Sequence, residues 1–189
     1  MSYAKPLIKS QTTSSSESIR TVLQDFDIGD VFIPDYQRDS DQWDLPKKSL
    51  LIESIINNFT LPEILICIET GDDYDRREVI DGQQRICTFK EFYSNQLRLI
   101  KSDHVSYLGE GSIHYAGKVF NELPNAFKKT FENYKLTITQ LPYGLSSHLR
   151  LEIFRRINIQ DSPLSPQDVR LAYYGGCQSV TFIRLAGII

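Results

Sequence analysis

Glu78-Val-Ile-Asp81-Gly82-Gln83-Gln84-Arg85-Ile86-Cys87-Thr-Phe89-Lys90 changes its pattern midway, and that change decides the fold class. Val79 and Ile80 favour a strand, and they lead into Asp81-Gly82, a dipeptide suited to turns. Beyond it, Ile86, Phe89 and Phe92 recur at helical spacing, which predicts a helix over 84–93. A strand that turns directly into a helix implies an α/β domain.

The same stretch carries chemistry. Gly82 can take positive φ and lets the chain turn sharply. Gln83, Gln84 and Arg85 then fall in a first helical turn, where unpaired N–H groups and a partial positive charge suit an anion. Arg85 adds a planar fork of donors for phosphate oxygens, and Asp81 can hold a divalent cation beside them. The plainer alternative is that Asp81-Gly82 is only a turn and Arg85 a solvated charge, and the dipeptide by itself favours that alternative.

Working outward, Glu63 to Glu69 is an apolar run of strand length that pairs with 78–80 across a turn at 71–75. Asp44 caps a helix with Pro46 in its first turn, and Leu51, Ile52, Ile55, Ile56 and Phe59 form its apolar stripe up to the stop at Pro62. A short helix is expected at 19–26 and a short strand at 30–33. Downstream, 97–100 reads as a third strand, 124–134 as a helix, 136–141 as a strand and 147–157 as a helix. Ser165-Pro-Gln-Asp168 opens a last helix, which Gly175-Gly176 stops. The expected fold is a small mixed sheet flanked by helices, with C-terminal helices. The Ser-rich residues 1–16 are expected to be a disordered arm, 17–175 one domain, and 176–189 the start of a helical segment of a longer protein.

The 21 basic and 24 acidic residues give a net charge of −3, which disfavours a protein that coats nucleic acid non-specifically. No apolar run is long enough to span a membrane and no secretory signal is visible, so a cytoplasmic setting is expected. Cys67, Cys87 and Cys177 lack metal or redox spacing and are expected as buried thiols; His104, His114 and His148 are scattered. Gly117-Lys118-Val119 is not a P-loop, since Ser or Thr does not follow the lysine.

Two further stretches combine polar and aromatic residues. Ile33-Pro-Asp-Tyr36-Gln37-Arg38 with Trp43 reads as a loop that delivers Gln37 and Arg38 to a ligand, or as an irregular loop anchored by Trp43. Phe154-Arg155-Arg156-Ile157-Asn158 ends a helix, and its plain reading is cationic capping. With Asp81-Gly-Gln-Gln-Arg85 and Leu164-Ser-Pro-Gln-Asp-Val-Arg170, these resemble, in order and spacing over 19–175, the domain that opens GmrSD-type restriction proteins.

The resemblance implies a ParB/sulfiredoxin-like fold and a nucleotide pocket, with Mg²⁺ and a nucleoside triphosphate as its occupants and bacterial defence against phage as its setting. In the ParB relatives the equivalent turn binds nucleotide phosphates. On that basis Gly82 and Arg85 hold phosphates, Asp81 places Mg²⁺ or a water, and Gln83 or Gln84 orients the attacking water. Gln37, Arg38, Arg155, Arg156 and Asn158 complete the pocket. The implied partners are a nucleotide, DNA or a nuclease subunit or domain, and a second copy of the chain. Longer members often carry an HNH nuclease domain, and no His-Asn-His pattern occurs here. The rival expectations are a non-catalytic sensor of DNA or its modification, and an inert partner of a separate nuclease.

Overall fold

The structure is a computed structural model that describes residues 11–34, 43–70, 74–101, 104, 107, 108 and 110–158. Its elements are β1 (Thr13–Ser18), α1 (Ile19–Ile28), β2 (Val31–Phe32), α2 (Leu45–Ile56), β3 (Ile64–Glu69), β4 (Arg76–Asp81), α3 (Gln83–Tyr93), α4 (Asn125–Asn133), β5 (Lys135–Gln140) and α5 (Ser147–Asn158), with two short 3-10 helices before α4. The strands form one five-stranded mixed sheet in the order β1-β5-β3-β4-β2. The β1/β5 and β3/β4 pairs are antiparallel, whereas β3/β5 and β2/β4 are parallel. The expected mixed sheet flanked by helices is therefore what the chain builds.

Alternate residues of the central strands face opposite sides. Ile64, Ile66 and Val79 enter the main core with Ile52, Ile55, Ile86, Phe89, Phe92 and Phe131. Leu65, Cys67 and Ile80 face the other way and meet Leu151 and Phe154 of α5. Helices α1 to α4 thus cover one face and α5 the other. The helix starts follow from local chemistry. Asp44 accepts from the Lys47 N–H at 2.9 Å with Pro46 in the first turn, and Ser18 accepts from the Thr21 N–H at 3.1 Å.

Three expectations change. Thr13–Ser16, assigned by sequence to a disordered arm, belongs to β1. Its order comes from the ladder to β5 and from a 2.9 Å hydroxyl contact between Ser14 and Thr139, not from apolar side chains. Residues 97–100 are not a strand. Leu97 and Leu99 are buried, but the backbone bonds run from Leu99 N–H to Lys118 O (3.0 Å) and from Ile100 N–H to Ser49 Oγ (3.1 Å). Alternating burial there reports packing without a sheet partner. Phe59 lies beyond α2 and is 43% exposed, so it leaves the apolar stripe. The helix expected after Ser165, the segment 176–189 and Cys177 lie outside the described residues. No helix among the described residues is long and apolar enough to cross a membrane.

Candidate functional site

β4 ends at Asp81, Gly82 turns the chain with φ 101°, and α3 begins at Gln83. The glycine is required twice over. Its φ is in the left-handed region, and a Cβ there would lie 3.0 Å from Ile64 Cγ1 and 3.2 Å from Arg85 Nη2. The strand–turn–helix expected from the sequence is therefore present.

Arg85 is neither solvated nor turned outward. It is 7% exposed and folds back beneath the turn. Its Nη2 donates to Asp81 Oδ2 at 2.8 Å and to the Glu63 carbonyl at 3.0 Å, and its Nη1 donates to the Pro62 carbonyl. One guanidinium thus ties the end of β4 to the chain entering β3. Burial pulls its pKa down from the usual arginine value, and the Asp81 charge opposes that pull.

A cleft of about 470 Å³ opens on the side of α3 that faces α1, β2 and α2. Phe26, Val31, Phe32 and Ile33 form its apolar wall, and Gln83, Gln84, Cys87 and Glu91 line it from α3. The size falls within the ~300–1,000 Å³ typical of small-molecule sites. Lys48 of α2 lies across from Glu91 and donates to both carboxylate oxygens, at 2.9 and 2.7 Å. Burial, with Glu91 next, pushes the Cys87 thiol up, which keeps it neutral.

Among the sequence-derived candidates, the cleft gathers Gln83 and Gln84. Asp81, Gly82 and Arg85 form the turn behind them. Gln37 and Arg38 lie outside the described residues, although both flanks of their segment reach the site: Ile33 lines the cleft, and the Trp43 N–H meets Gln84 Oε1 at 3.4 Å. Arg155 and Arg156 sit exposed on α5, across the sheet from the cleft, and both pair with Glu152 at 2.9 and 2.8 Å. Asn158 closes that helix. The structure does not bring the α5 residues to the cleft.

Sequence reasoning missed Lys48 and Glu91, which are 43 positions apart and belong to no shared motif. It also missed the Phe26 and Phe32 wall, since the two residues read only as parts of a short helix and a short strand. Among the described residues no group of three or more His, Cys, Asp or Glu is placed to hold a metal. Mg²⁺ needs less from protein, commonly one or two carboxylates beside substrate phosphates and waters. Asp81 is a carboxylate at the turn, 30% exposed and paired with Arg85.

The chain is thus a mixed α/β domain with a cleft at the first turn of a helix that is entered from a strand through a tight glycine turn. The family comparison narrows it: the model of the GmrSD restriction endonuclease N-terminal domain matches residues 19–175, and the chain belongs to that family. Membership places it in a restriction or phage-defence role. No curated protein and no solved structure matches the chain.

Proposed function

We propose that this domain binds a nucleoside triphosphate in the cleft and hydrolyses it with Mg²⁺, as the regulatory part of a restriction system in the cytoplasm. The observation that carries the reading is the position of the cleft: it opens onto the first turn of α3 and is lined there by Gln83 and Gln84. A helix start offers N–H groups and a positive dipole end to phosphates. The aromatic wall of Phe26 and Phe32 suits a base. This arrangement agrees with the nucleotide site expected of a ParB/sulfiredoxin-like domain.

The contacts support a division of labour within Asp81–Arg85. Gln83 and Gln84 face the ligand, and one of them orients the attacking water. Arg85 acts as a positioning residue by fixing the turn. Asp81, paired with Arg85 through Oδ2, would be the carboxylate that holds Mg²⁺, and the ion would supply charge neutralisation for the phosphates. DNA cleavage belongs to a separate nuclease domain or subunit, and self-association is part of the same proposal.

The test is phosphate release from each common nucleoside triphosphate, with and without Mg²⁺, by the purified chain and by Gln83→Ala/Gln84→Ala. Metal-dependent release that the double variant loses, while it still unfolds cooperatively, is the expected result. Absence of binding by any of the four triphosphates to the wild-type chain would sink the reading.

A further inference from the structure

A triphosphate needs cationic partners, yet Arg85 is turned away beneath the Gly82 turn and its donors are engaged by Asp81, Pro62 and Glu63. Among the described residues that line the cleft, the charged ones are Lys48 and Glu91. Their pair crosses the cleft between two helices, with Lys48 13% and Glu91 35% exposed. Lys48 is therefore an ammonium stored against the cleft wall, with its partner on the more open side.

We infer that Lys48 receives the nucleotide's terminal phosphates, and that Glu91 is its counter-ion while the cleft is empty. The inference rests on the nucleotide reading above and adds a residue and an exchange of partners to it. Glu91 lies two turns along α3 from Gln83, roughly 12 Å at the rise of a helix. Lys48 stands near the start of α2, and Trp43, just before that helix's cap, donates its N–H to Gln84. Its flexible four-carbon stem lets the ammonium move from Glu91 toward the start of α3. A triphosphate offers several charged oxygens against the single charge of the carboxylate, so it wins the ammonium when it enters. The half-buried setting strengthens whichever pair forms. The Lys48–Glu91 pair then acts as a selector: a neutral nucleoside cannot repay its separation, and a triphosphate can.

The exchange predicts opposite effects from its two members, which a purely structural ion pair does not. Binding of ATP, GTP, CTP, UTP and their nucleosides to the full chain is measured by calorimetry, with thermal unfolding of each variant alongside. Lys48→Met should weaken triphosphate binding roughly ten- to a hundredfold, the scale of a charge-assisted hydrogen bond, and leave nucleoside binding near wild type. Lys48→Arg should restore part of the loss. Glu91→Gln should tighten triphosphate binding, by a few-fold, because the competing carboxylate is gone. If Lys48→Met does not fold, the direction of Glu91→Gln decides alone. Weaker triphosphate binding in Glu91→Gln, or wild-type triphosphate affinity in a folded Lys48→Met, overturns the inference and leaves the nucleotide reading standing. A wild-type chain that binds none of the four triphosphates overturns both.

Discussion

On one face of the sheet, Phe89 and Phe92 meet Phe131 edge to face, and Phe92 meets Phe120 in the same way, beneath α1 to α4 and within the main core. On the other face, α5 rests on Leu65, Cys67 and Ile80 and reaches β4 through an ion pair between Arg150 and the buried Glu78. Arg150 Nε is buried there without a hydrogen-bond partner, among the described residues. The first face is held by volume and the second by register. A buried pair with an unsatisfied nitrogen contributes little net stability, but it penalises every docking of α5 that separates the charges. The cleft is built on the first face, so its walls inherit the stiffness of the main core.

Phe89→Ala tests the large face and should cost the most, ~3–5 kcal/mol, by removing a ring from the centre of the core. Denaturant unfolding measures it; a loss below about 1 kcal/mol would mean that the core closes over the gap and is not held by volume. Glu78→Gln should follow, at ~2–4 kcal/mol, because it leaves the Arg150 charge facing a neutral partner. Combining it with Arg150→Met should recover most of that loss in the same assay. If the double variant is as unstable as the sum of the two singles, the two charges are not coupled, and the contrast between the faces is wrong.

A smaller effect is expected at the start of α2. Asp44→Ala removes a cap but leaves Leu51, Ile52 and Ile55 packed, so about 1 kcal/mol should be lost in thermal or denaturant unfolding. A loss as large as that of Phe89→Ala would show that the large face depends on its caps as much as on its packing. The smallest effect near neutral pH is electrostatic. Burial, opposed by a contact with Asn57 and aided by Glu53, pushes the Tyr115 phenol from 10.0 up to about 12. The folded state therefore holds that proton more tightly, and the associated stability is complete below pH 10 and lost as pH rises toward 12. Melting temperature followed across this window should fall less steeply in Tyr115→Phe than in the wild type; parallel slopes would remove Tyr115 as a cause.

Much of this was legible in the residues themselves. Asp81-Gly82 before Ile86, Phe89 and Phe92 marks the strand, the turn and the helix, because each step has a local cause. Asp44 with Pro46 marks the start of α2 for the same reason. β1 was not legible, since Thr13 to Ser18 has no apolar alternation and is ordered by backbone pairing with a strand more than a hundred residues away. The orientation of Arg85 was not legible either. An arginine in a first turn looks the same in sequence whether it points outward or folds back onto the carbonyls of Pro62 and Glu63. The Lys48–Glu91 pair depends on how two helices pack, which no short window contains.

The crowding around Gly82 bears on how this domain can change over generations. Asp81, Gly82 and Arg85 are held by the fold: a side chain at 82 meets Ile64, and the Arg85 guanidinium binds the turn together. Gln83 and Gln84 face the cleft. A lineage that abandoned the activity would still lose stability by replacing any of the first three residues, while the two glutamines would be under less constraint from the fold. Among descendants of this chain, substitution at 83 and 84 beside an intact Asp-Gly and Arg is where relaxed selection on the activity would first be written.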